Sequence, residues 1–116
     1  MYGNNSEEGY RKIIEGIEIK TISYGKLMLM TEFRLKKGAL LPEHSHPQEQ
    51  SGYLVKGHLT LYIGESARKL KPGDSWSIPG GTPHRAEISE DAVAVEVFSP
   101  VREDYCQYIW ENDIIS

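Results

Sequence analysis

An all-β domain, built as a sandwich or barrel of short strands, is the fold class this sequence predicts, and three observations predict it. Eleven glycines and six prolines are spread through 116 residues, so the chain turns often. Between the turns, apolar and polar residues alternate with a period of two, as in half-buried strands. These segments recur at about eight to twelve residues, the spacing of sandwiches and barrels.

Each element follows from its own residues. Residues 1–9 are polar and acidic and read as a mobile arm, with residues 10–116 as one domain. Ile17, Ile19 and Thr21 alternate with charged residues. Over residues 27–35 the odd positions Leu27, Leu29, Thr31, Phe33 and Leu35 form one strand face. Lys36-Lys37-Gly38 is a turn. Residues 40–46 are extended, because Pro42 forbids a helix. Residues 53–55 form a strand that ends at a Lys56-Gly57 turn. Leu59, Leu61 and Ile63 then share a face, with His58 pointing away from them to solvent. Gly64-Glu65 turns into a short strand at residues 67–70, and Lys71-Pro72-Gly73-Asp74 is a strong turn signal. Trp76 and Ile78 read as core positions of a strand over residues 75–79. After a loop at 80–83, strands at 84–88 and 92–99 are joined around residues 89–91. Only the end looks helical. Ser99 suits a cap, Pro100 the first helical position and Glu103 and Asp104 the first turn, with Val101, Tyr105 and Tyr108 on one face.

Composition excludes several functions. The chain is 39% hydrophobic and 26% charged, a globular balance and not that of a disordered tail. Its longest unbroken apolar run is four residues, at 27–30 and again at 92–95, far short of the roughly twenty of a membrane span. The formal net charge is −4 and the Lys and Arg residues are scattered, which argues against nucleic acid or an anionic membrane as partner. Residues 1–10 carry no hydrophobic segment, so we expect no signal peptide. With a single cysteine, Cys106, no internal disulfide is expected and a reducing cytoplasm is.

The chemistry concentrates around the histidines. His44 and His46 lie two apart on an extended segment, so both imidazoles project from one face, where they suit a first-row divalent metal. Pro42 and Pro47 stiffen the pair. The run Gly38, five residues, His44, Ser45, His46, three residues, Gln50, six residues, Gly57 is followed by Gly73, five residues, Pro79, Gly80, Gly81, two residues, His84. Together these resemble the two motifs of the cupin superfamily, whose members are β-jelly rolls. The resemblance covers about residues 26–104. It implies one divalent metal ion per chain, of the kind of nickel, zinc, manganese or iron, held by His44, His46, Gln50 and His84. The family's usual Glu is Gln50 here, and its usual Asn is Ile88, which we expect simply to pack. Glu49 is a charged rival to Gln50. The two face opposite ways on a strand, and the family's spacing selects Gln50. Four neutral ligands would leave a full 2+ charge on the metal, favouring Lewis-acid chemistry and an anionic ligand such as a carboxylate.

On the last strand Ala92, Ala94, Glu96 and Phe98 share a face, the alanines fitting a narrow barrel. The order Glu96, Phe98, Arg102 is similar to the acid, aromatic and arginine set of one small cupin family. Those proteins act in pectin and alginate breakdown and convert ring-closed 4,5-unsaturated monouronates to linear keto forms. There the acid is Asp, one methylene shorter than Glu96. The resemblance implies Glu96 as general acid or base, Arg102 as a bidentate clamp on a substrate carboxylate, and Phe98 against the sugar ring. The plainer reading of Glu96 and Arg102 is a salt bridge at the barrel mouth. Alternatives to such an enzyme are a non-catalytic ligand-binding or sensor cupin and an oxygen-dependent dioxygenase.

Assembly is predicted from the opposite strand face. With Glu96 turned inward, Val93, Val95 and Val97 face outward, and Met28 and Met30 oppose Leu27 and Leu29. Two strands apolar on both faces need cover. The cupin resemblance points to a homodimer as its source; the alternative is residues 10–22 folding back over the valines.

Overall fold

The computed structural model describes residues 1–116. Its strands are β1 (Tyr2–Gly3), β2 (Arg11–Ile14), β3 (Ile17–Tyr24), β4 (Leu29–Leu35), β5 (Leu40–His44), β6 (Glu49–Ile63), β7 (Ser66–Leu70), β8 (Ser75–Ile78), β9 (His84–Ser99) and β10 (Ile114–Ile115). Short 3₁₀ helices at Glu103–Tyr108 and Glu111–Asp113 precede β10. All strand pairings are antiparallel.

The frame is the pair of long strands β6 and β9. We predicted each as two strands, broken at Lys56-Gly57 and at residues 89–91, but the chain bends there without breaking. Register shifts cluster between Leu54 and Leu59. Gly57 sits at the corner with φ +87°, and a Cβ there would lie 2.2 Å from the Asp91 carbonyl oxygen. Residues that permit a hairpin turn permit a strand corner equally well, because both exploit glycine's freedom at positive φ. The corners let each long strand serve two layers. β2, β3, β4, the later part of β9, the earlier part of β6 and β8 lie side by side in one. β5, the earlier part of β9, the later part of β6 and β7 form the other. Between them the layers enclose Ile17, Ile19, Phe33, Leu35, Leu54, Leu59, Leu61, Ile88, Ala92 and Ala94, a single core in a β-jelly-roll barrel.

The alternation read from sequence is visible in burial. Leu29, Thr31, Phe33 and Leu35 are buried, whereas Leu27 precedes the strand and is 70% exposed. Both termini depart from expectation. The segment at residues 1–9 is tied down and not a free arm. β1 pairs with β10, and Lys20 Nζ donates to Ser6 O, Glu8 O and Asp113 Oδ2, each at 2.9 Å. In an alternating strand Lys20 looks like an outward charge, yet it is 3% exposed because the two termini cover that face of β3. The expected helix is displaced as well. Ser99 ends β9, and its hydroxyl donates to Leu27 O instead of capping. The helix starts only after the extended Arg102 and is 3₁₀, too short to bury a stripe of its own, although Tyr105 and Tyr108 do pack on the core.

Candidate metal centre

His44 ends β5, His46 lies in the turn that follows, Gln50 is near the start of β6 and His84 opens β9. Pairing of β5 with β9 sets His44 opposite His84, with ring centroids 4.2 Å apart, and His46 lies 5.1 Å from His84. Each Nδ1 donates to a backbone carbonyl two residues away. His44 meets Pro42 O at 2.9 Å, His46 meets Gln48 O at 3.0 Å and His84 meets Thr82 O at 2.9 Å. A carbonyl only accepts, so each Nδ1 carries a proton, and in the neutral ring Nε2 keeps its lone pair. One ligating nitrogen from each ring lies within 4.8 Å of the others. Burial pushes the His84 imidazole down to about 4, and burial followed by the Arg102 charge lowers His46, which favours the neutral, ligating form of both rings.

Three atoms make this group an incomplete hydrogen-bond network. His84 Nε2 is buried without any partner. Gln50 Oε1 lies 2.9 Å from His46 Nε2, where a carbonyl oxygen and a nitrogen lone pair face each other as two acceptors. A divalent cation would satisfy all of them, so the residues present fit a metal ion. Gln50 is 4% exposed and turned toward the histidines, while Glu49 is exposed on the other face of the strand. His58 stands apart on the surface, 2.9 Å from Glu90.

The second expected group is only partly assembled. Glu96 Oε1 accepts Gln50 Nε2–H at 2.5 Å and Trp76 Nε1–H at 2.9 Å, and removal from water raises its pKa. It does not pair with Arg102. That guanidinium stacks 3.8 Å over the Tyr105 ring and binds Asp104 through both oxygens, at 2.8 and 3.3 Å. Phe98, expected against a sugar ring, is 1% exposed; its ring supports His46 and Tyr105 instead. Behind Gln50, His84, Glu96 and Trp76 lies a cavity of about 40 Å³, closed by Leu59, Leu61 and Ile88.

Comparison with known proteins identifies the family. The family model for the cupin domain matches residues 31–100. The chain is a cupin. It is 27% identical over 106 residues to the pectin degradation protein KdgF of Dickeya dadantii, covering 90% of this cupin and 96% of that protein. The solved structure of KdgF from Halomonas sp. superposes with a TM-score of 0.85 at 28% identity, covering 90% of this cupin and 98% of that chain. An RmlC-like cupin from Shewanella frigidimarina shares the fold at the same TM-score of 0.85 and 23% identity, over 90% and 94% of the two chains.

Three residues here escaped the sequence reading of the site. Trp76 was read as core alone, Tyr105 as one face of a helix, and Gly52 was not singled out. A glycine inside a strand signals close approach by another group. At Gly52 that group is the Trp76 ring, 2.1 Å from where a Cβ would sit.

Proposed function

We propose that this cupin is a metal-dependent enzyme that converts a ring-closed 4,5-unsaturated monouronate to its linear keto form. The observation that carries the reading is the convergence of three imidazole lone pairs and one amide oxygen, with an acid and a guanidinium beside them. The likeness to KdgF proteins, one of them described by its role in pectin degradation, supports the substrate class. With His44, His46, Gln50 and His84 as four neutral donors, one divalent ion such as nickel, zinc, manganese or iron keeps its full charge and supplies a Lewis acid. Glu96 has Oε1 occupied by two donors, which leaves Oε2 to carry a proton to or from the substrate. Arg102 holds the Asp104 carboxylate bidentately, and a substrate carboxylate displaces Asp104 from the same edge. Phe98 acts by backing His46 and Arg102 rather than by touching sugar. The interior cavity of about 40 Å³ is far below the roughly 300–1,000 Å³ of a ligand pocket, so the sugar sits at the barrel mouth.

The test is conversion of the ring-closed uronate followed by NMR. Metal-loaded protein should consume it faster than the same protein stripped by chelator. Intact metal binding with no turnover would assign the chain to ligand binding instead, and activity that needs O₂ would assign it to the dioxygenases.

We also infer a homodimer through the outer face of β4, β9 and β6. Met30, Tyr53 and Val55 are exposed there beside the half-buried Val93, Val95 and Val97. Residues 10–22 extend the sheet edge next to β4 and leave Met30 and Tyr53 open.

A further inference from the structure

An amide offers two ends of nearly the same shape, and only the oxygen ligates a metal. In the metal-free protein the reverse orientation would be attractive, because the Gln50 –NH₂ group would then donate to His46 Nε2 and block the centre. Some contact has to hold the amide against that alternative. We propose that Trp76 is a positioning residue of the metal centre, which acts through Glu96 to keep the Gln50 oxygen turned toward the histidines. The proposal rests on Gln50 being a ligand.

The contacts lie along one row of the sheet. Gly52 pairs with Glu96 on β9 and with Trp76 on β8. Without a side chain at Gly52, the indole lies across the strand and reaches Glu96 Oε1 at 2.9 Å. An indole N–H can only donate, so the oxygen it meets serves as an acceptor. When Glu96 is ionised, or carries its proton on Oε2, the Gln50 group 2.5 Å from that same oxygen is the donating –NH₂, and its carbonyl is left facing His46. The nearest cation does not compete, because Arg102 is engaged by Asp104. Groups that orient a metal ligand in this way are worth roughly 10–100-fold in affinity.

The test uses Co²⁺ as probe, with affinity measured by chelator competition and ligand geometry by visible ligand-field absorption. Trp76→Phe keeps an aromatic ring on this row while removing the N–H; it should weaken Co²⁺ roughly tenfold and alter the spectrum. Glu96→Leu should do the same. Glu96→Gln still presents an acceptor oxygen to Trp76 and Gln50, and should bind Co²⁺ like wild type even if turnover is lost. Should Trp76→Phe not fold, the two Glu96 variants still decide. Wild-type affinity and spectrum in Trp76→Phe would overturn the proposal, as would equal weakening in Glu96→Gln and Glu96→Leu. Gln50→Ala separates the two levels. If it binds Co²⁺ like wild type, the ligand set itself is wrong; if it binds weakly while Trp76→Phe does not, only the positioning role falls.

Discussion

An amide where a carboxylate would bring charge leaves each donor's contribution readable from its own substitution. Replacing His44 and His84 together by Ala should abolish metal content in the purified protein while leaving it folded, since neither ring holds the core together. Gln50→Ala should weaken metal binding, whereas Glu49→Gln, on the solvent face, should leave metal content unchanged; metal analysis of each variant checks this, and the reverse result would pass the ligand role to Glu49. Arg102→Ala removes a charge-assisted clamp of about 1.5–3 kcal/mol, so kcat/KM for the uronate should fall roughly 10- to 150-fold in steady-state assays. The paired histidines were legible because a strand's period of two is enough to place them on one face. Trp76 was not, because its contact with Glu96 depends on an absent side chain in the strand between them, and the register of three strands cannot be read from local pattern.

Strands, corners and the two termini obey a different logic from the site. Apolar alternation located β3, β4 and the two halves of β6 and β9, since burial on one face leaves a period-two trace. It could not tell a hairpin turn from the corner at Gly57, because the same residue types serve both. Nor could it show the joined termini, whose anchor is a lysine and whose pairing spans the whole chain. Lys20 bonds to Asp113 and to two carbonyls of the N-terminal segment, and β1 lies along β10. Hydrogen bonds from Lys20 and Ser6 hold the Asp113 carboxyl below its ordinary value of 3.8, against the opposing effect of burial. A carboxyl whose folded pKa is depressed stabilises the fold fully above its unfolded pKa, and that contribution fades as pH falls through the folded value. The melting temperature of wild type should therefore fall more steeply below about pH 4 than that of Asp113→Asn, which lacks this titration at the outset. At pH 7 Asp113→Asn should melt lower than wild type and exchange the amides of residues 2–4 faster. Parallel acid curves for the two proteins would detach the clasp from Asp113.

Over the whole molecule, the outer face of β4, β9 and β6 carries Arg34, Glu32, Lys56 and Ser51 among its valines, yet it also exposes large apolar side chains. Val95 on β9 stands between Glu32 on β4 and Tyr53 on β6, and Val97 between Met30 and Ser51. Tyr53 is 52% exposed and Met30 38%, so large apolar side chains flank the half-buried Val95 and Val97 from both neighbouring strands, and Met28 just before β4 is 59% exposed. An isolated exposed leucine such as Leu40 needs no explanation, but a contiguous patch of this kind marks an interaction surface. Residues 10–22 run along the β4 edge, and Tyr10 reaches only as far as Glu32 and Arg34 on this face, while the C-terminal helix packs Tyr105 and Tyr108 against the core, so Met30, Tyr53 and Val55 stay exposed. In the proposed homodimer a second copy would supply the same patch in return, as a two-fold interface requires. Light scattering at low micromolar concentration should give twice the chain mass of 13.1 kDa, and a value near the single mass would reject the dimer. Val95→Asp would put an unpaired charge into the contact of the proposed dimer and should dissociate the pair or unfold it. Tyr53→Lys separates those outcomes, because its side chain is already half in water in one chain. It should yield a folded monomer with an unchanged metal centre, since Tyr53 points away from the barrel interior that holds Gln50 and Glu96 on the opposite face of the same sheet.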